Sequence, residues 1–179
     1  MEGGPEGFYL GYRSLLLIDM EGSPLGHVEA PANVNEKDLV EQVLNDALGG
    51  DVEVELVAGD SQLESDRVFK AHEARKITHV IPWRKLKGRI NPPDVLTVKD
   101  KITVEGPEHL KIIYGRLRAT AEWFISTLKT QLGYDNLTWK GLENASIHTC
   151  LAVSLIYAVT IAAIKMGKTE KARSIAYFK

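Results

Sequence analysis

The chain of 179 residues has a single cysteine, Cys150. One thiol excludes an internal disulfide framework and a zinc site built from cysteines alone. It fits a reducing cytoplasm. Histidines add no metal site: His27, His72, His79 and His109 show no metal-ligand spacing. No signal peptide is visible, because Met1 to Phe8 is rich in Gly and Glu and has no apolar core. Internal repeats and low-complexity runs are missing too. What remains is an ordinary soluble composition, long enough for one domain with a real core.

The net charge of −2 says little, but its distribution says more. Residues 1–82 carry a net −10, residues 83–140 a net +5 and residues 141–179 a net +3. An acidic half joined to a basic half points to a polyanion partner for the basic part, or to chance plus solubility.

Hydrophobic patterning predicts a mixed α/β order. Residues 13–19 read as a buried strand, and Leu25 to Ala30 as its return after the turn at Met20 to Pro24. Asn35 is an N-cap for a helix over Glu36 to Leu48, closed by Gly49-Gly50. Val52 to Ala58 reads as a strand running from an edge into the core, stopping at Gly59-Asp60. A helix over Ser65 to Arg75 and a strand over Ile77 to Pro82 follow. Residues 83–106 read as a long basic loop. Helices are predicted from Pro107 to Leu132, from Leu142 to Met166 and from Thr169 to Tyr177, with Gly133 and Gly167 as stops.

Ser146 to Ile164 contains no Asp, Glu, Lys or Arg over nineteen residues. That length could span a membrane. Recurrent Ser146, His148, Thr149, Ser154 and Thr160 favour a buried helix against the sheet, with His148 as a hydrogen-bonded interior or boundary histidine.

On a helix at about 100° per residue, Arg118, Glu122 and Lys129 share one face over about 16 Å. A carboxylate between two cations suits a metal-dependent enzyme on DNA. On spacing alone, a solvated face with an Arg–Glu pair worth a few tenths of a kcal/mol is the commoner case. Trp83, Arg84, Lys85, Lys87 and Arg89 fall within seven residues. They read as phosphate contacts with a stacking ring, or as a solvated loop.

Tyr114-Gly-Arg-Leu-Arg118-Ala-Thr-Ala-Glu122-Trp-Phe-Ile-Ser-Thr-Leu-Lys129 resembles the Tyr-Arg-Glu-Lys signature of one large group of DDE insertion-sequence transposases. The Arg-x3-Glu-x6-Lys spacing matches. Tyr114 departs, with three residues before Arg118 where the group has two. Gly141 to His148 and Ala172 to Phe178 are similar to the usual ending of these proteins. Gly11 to Asp19, Pro31 to Val34 and Val80 to Trp83 fit upstream. Ala58-Gly-Asp60-Ser-Gln-Leu-Glu-Ser65 resembles the segment of the second catalytic Asp; Asp60 as the cap of a following helix is the plainer alternative. Glu64 and Asp66 read as first-turn helix residues.

The resemblance implies an α/β, RNase H-like mixed sheet flanked by helices, with a helical C-terminal third. It implies Asp60 and Glu122 as catalytic metal ligands for Mg²⁺ or Mn²⁺. Arg118, Lys129, Tyr114, Trp83, Arg84, Lys85, Lys87 and Arg89 would contact double-stranded DNA at transposon ends and target. The expected setting is cytoplasmic, without a membrane and with a homodimer left open. The family's first Asp lies before the Gly-Tyr-Arg segment. Here ten residues precede Gly11 and none is Asp. Asp19 is the substitute candidate, although it aligns better with a hairpin turn. Residues 1–179 therefore read as one N-terminally truncated catalytic domain, weakly active or inactive alone. The rival readings are a DNA-binding remnant and a small membrane-anchored protein.

Overall fold

A computed structural model describes residues 11–50, 52–82, 108–134 and 140–178. Strand β1 (Tyr12–Ile18) pairs antiparallel with β2 (Pro24–Pro31), and helix α1 (Glu36–Leu48) follows. Strand β3 (Leu56–Ala58), helix α2 (Asp66–Glu73) and strand β4 (Thr78–Val80) come next, with β3 parallel to β4. Long helices α3 (Glu108–Leu132) and α4 (Leu142–Lys165) complete the frame.

The apolar run in β1 belongs to a strand covered on both faces. Side chains alternate along a strand, so neighbours go opposite ways. Leu15 and Leu17 pack into a core with Val40, Leu44, Val57, Val68, Ile77 and Ile81. Leu16 and Ile18 enter a second core with Phe124, Leu128, Ala152, Ile156, Val159 and Ile175. The result is three layers: α1 and α2 on one side, α3 and α4 on the other. A hydroxyl chain ties them: Ser14 Oγ lies 2.7 Å from Tyr134 Oη, which lies 2.5 Å from Thr149 Oγ1.

Local chemistry sets the helix ends. Asn35 accepts the Lys37 amide at 3.1 Å to cap α1, and Ser65 Oγ accepts the Val68 amide at 3.3 Å to cap α2. Gly133 (φ 70°) and Gly167 (φ 67°) take the left-handed conformation that ends α3 and α4. Gly26 serves packing instead. A Cβ there would meet Ala47 N and Val43 O, both at 2.8 Å. Only glycine lets α1 lie this close to β2. Gly26→Ala should therefore cost about 1–3 kcal/mol by forcing the helix outward, read as a lower urea midpoint. An unchanged midpoint would show that α1 docks elsewhere.

Several expectations are corrected. Predicted over residues 52–58, β3 is strand only at Leu56–Ala58, because its partner β4 offers three residues to pair with. The described strands form two separate two-stranded sheets, not one mixed sheet. The closing segment is two short 3₁₀ turns, Thr169–Lys171 and Ile175–Phe178, not one helix. His148 meets the Tyr134 ring at 5.3 Å between centroids, but its buried Nδ1 has no hydrogen-bond partner among the described residues.

Helix α4 is long and apolar enough to cross a membrane. Yet Ala145, Thr149, Ala152, Ile156, Val159 and Ala163 are buried along one face, as in a core helix. Its other face leaves Ile147, Leu151, Leu155, Ile161 and Ile164 exposed, so its burial against the sheet is one-sided.

Candidate nucleic-acid and metal site

Helix α3 presents two faces because its apolar residues recur at helical spacing. Phe124, Thr127 and Leu128 turn inward and are buried. Arg118, Glu122 and Lys129 lie on the opposite, exposed side. Arg118 Nε donates to Glu122 Oε1 at 2.8 Å, with both side chains about two-thirds exposed.

Tyr114 stands one turn before Arg118 and joins the same ladder, since each step from Tyr114 to Arg118 to Glu122 is four residues. Burial pushes the half-buried Tyr114 phenol above its ordinary range. The Arg118 guanidinium opposes that shift, while the carboxylates of Asp60 and Glu122 add to it. The phenol stays protonated at neutral pH. The unusual spacing of Tyr114 therefore does not take it out of the cluster: the helix brings it within reach.

Asp60 comes from the other side. The β3–β4 ladder is prolonged by Gly59 N, which donates to Val80 O at 3.1 Å. Asp60 follows at once, on a backbone held by that pairing. Its Oδ1 accepts the Gln62 amide at 2.9 Å and the Ser61 hydroxyl at 3.1 Å, capping the 3₁₀ turn Ser61–Leu63. The capping alternative is thus realised, but on this short turn; Ser65 caps α2. The Asp60 charge acts on both Tyr114 and Arg118, and β3 packs against α3.

The remaining candidates divide. Trp83, Arg84, Lys85, Lys87 and Arg89 lie outside the described residues. Asp19 is occupied in the β1–β2 turn, where its Oδ1 accepts the Ser23 amide at 2.7 Å. Glu64 follows the 3₁₀ turn and is not in a helix, whereas Asp66 opens α2. Among the described residues, no three His, Cys, Asp or Glu side chains are arranged to hold a metal ion. Asp60 and Glu122 are hard oxygen donors, the kind Mg²⁺ takes, but two fall short of its near-octahedral shell. The residues fit the ion in kind and not in number.

The Transposase DDE domain family matches residues 3–158, a span that includes Asp60, the whole of α3 and most of α4. The chain belongs to the DDE transposase family. Its role is accordingly in DNA transposition. No curated protein and no solved structure matches the chain.

Proposed function

We propose that this domain carries part of the strand-cleaving and strand-transferring centre of a Mg²⁺-dependent transposase of the Tyr-Arg-Glu-Lys signature group. Asp60 and Glu122 would hold the ion, with Mn²⁺ as a substitute. The observation that carries the reading is the packing of β3, whose end leads into Asp60, against helix α3, where the Asp60 charge reaches Tyr114 and Arg118. When bound, the metal activates water or a 3′-hydroxyl and stabilises the leaving oxygen. The chain's own residues do the rest. Arg118 orients Glu122 through their hydrogen bond and, with Lys129, offers cations spaced along one DNA strand. Tyr114 offers a protonated hydroxyl beside them. Trp83, Arg84, Lys85, Lys87 and Arg89 add phosphate contacts and a stacking ring in the same reading. The two sheets belong to an RNase H-like layer, in a single domain acting on double-stranded DNA in the cytoplasm, alone or as a homodimer.

Two carboxylates predict weak or absent strand transfer by this chain. Metal titration run beside a DNA-nicking assay tests the site. Weak Mn²⁺ or Mg²⁺ binding that vanishes in Asp60→Ala and Glu122→Gln is expected, together with loss of any metal-dependent nicking. Nicking that survives Asp60→Ala would overturn the assignment. The lack of a third ligand among the described residues also favours a second reading, a DNA-binding remnant without catalysis. That reading predicts salt-dependent DNA binding with no metal response. In either case Arg118→Ala or Lys129→Ala should lower the salt slope by about one per lost phosphate contact.

A further inference from the structure

Helix α4 is apolar on two opposite faces. Its buried stripe, Ala145, Thr149, Ala152, Ile156, Val159 and Ala163, advances by alternating steps of four and three residues. A second stripe starts two residues later, about 200° round the helix, and takes the same steps: Ile147, Leu151, Ser154, Ala158 and Ile161. All five are exposed, Leu151 by 61% and Ile161 by 52%. Exposed Leu155 and Ile164 widen the stripe. Steps of four and three are the seam spacing of paired helices. The aliphatic side chains of this outward face leave on the order of 500 Å² bare, near the top of what a monomer keeps.

A charge closes the outward stripe at each end. Glu143 stands one turn before Ile147 and Lys165 one turn after Ile161, and both are exposed. The order of charges and sizes is its own complement about Ser154. Glu143 and Lys165 each lie eleven residues from it, and Ile147 and Ile161 each lie seven. Leu151, three residues before Ser154, is matched by Ala158, four after. When a second copy is turned end for end about Ser154, Glu143 comes opposite Lys165, Ile147 opposite Ile161, and Leu151 over the small Ala158. The small side chains at the centre let the two backbones approach. A parallel pair would instead set Glu143 beside Glu143 and Lys165 beside Lys165, which repel.

We propose that the outward face of α4 docks a second copy of this chain, with the two helices antiparallel about a two-fold axis at Ser154. The contact is isologous, so each residue pair occurs twice. Burial of Ile147, Leu151 and Ile161 drives association, and the two Glu143–Lys165 pairs set the direction and register. Two copies bring together on the order of 1,000 Å² of apolar surface, the lower end for a specific contact, so the dimer is weak and reversible. The contact uses neither Asp60 nor the α3 ladder. Its failure would leave the metal-site reading untouched, and the loss of that reading would leave the dimer.

Sedimentation velocity on the whole chain, over a range of concentrations and without DNA or metal, tests the contact. A reversible dimer is expected, with a dissociation constant on the order of 10 µM. Leu151→Glu, at a position already 61% exposed, should keep the urea midpoint of the fold and weaken the dimer by about tenfold or more. Glu143→Lys and Lys165→Glu should each weaken it by about fivefold, since each change acts twice across the axis. The chain carrying both changes should regain most of the parental affinity. A monomer at concentrations on the order of 100 µM would overturn the proposal. So would a dimer indifferent to Leu151→Glu, which would lie on another face, or one indifferent to both single charge changes, which would be parallel. Binding of the monomer to neutral phosphatidylcholine vesicles, without self-association, would assign the face to a membrane and overturn it too.

Discussion

Phe124→Ala is expected to destabilise the domain by about 3–5 kcal/mol, against a total stability on the order of 5–15 kcal/mol. Phe124 is 1% exposed and central to the core shared by α3, α4 and the closing 3₁₀ turn. Truncation removes its contacts with Leu128, Ala152, Ile156, Val159 and Ile175, and leaves a cavity the neighbouring helices only partly fill. The effect reaches the candidate site. Glu122 lies two residues before Phe124 on the opposite side of the same helix. An undocked α3 therefore moves the Tyr114–Arg118–Glu122 ladder relative to Asp60. Urea unfolding checks the prediction. The midpoint should drop sharply at constant slope. A loss below about 1 kcal/mol would mean that α3 does not pack through this ring.

Acidification should produce the second large loss. Burial lowers the His72 pKa to about 4, with the neighbouring His79 ring and the Arg75 guanidinium adding to the effect. The imidazole is 2% exposed, and its Nδ1 has no hydrogen-bond partner among the described residues. The folded state thus holds a neutral ring where the unfolded chain, with a pKa of about 6.5, binds a proton. Between those two values the unfolded state binds more protons, so stability falls as pH falls. The contribution is fully present above about pH 6.5 and is lost by about pH 4, a difference on the order of 3 kcal/mol. His72→Leu removes the titrating group. Unfolding free energies measured over this range should fall less steeply for the variant than for the parent. Parallel pH dependences would rule out a buried neutral His72.

Local patterns are legible in the sequence where physics is local. Asn35 and Ser65 cap helices because their side chains reach amides two or three residues on. Gly133 and Gly167 end helices because a left-handed residue costs glycine little. The α3 ladder follows from a four-residue step on one helix, so Arg118 and Glu122 meet as their spacing predicts. The same four-residue step puts Tyr114 one turn before Arg118 on that helix.

The misjudged parts depend on partners elsewhere in the chain. Val52 to Val54 alternates like a strand but lies outside β3, and Glu55 reaches β4 through its carbonyl, which accepts the Thr78 amide at 2.8 Å. Apolar composition made α4 look wholly buried, whereas contact with β2 and α3 uses one face and leaves Leu151 and Leu155 exposed. Asp60 offered two readings, cap and metal ligand. The structure realises the cap.

Residue order alone decided helices α1 to α4, the buried strand β1 and the cation–carboxylate face of α3, because those follow from periods of 3.6 and 2 and from short-range hydrogen bonds. Tertiary packing alone decided that β3, with Asp60 just beyond its end, comes against α3, and that His27, Asp46 and Cys150 converge. The last two pairs lie 19 and 123 residues apart in the chain. No local period links such positions; only burial of apolar faces on both sides of β1 brings their backbones close enough for polar side chains to meet.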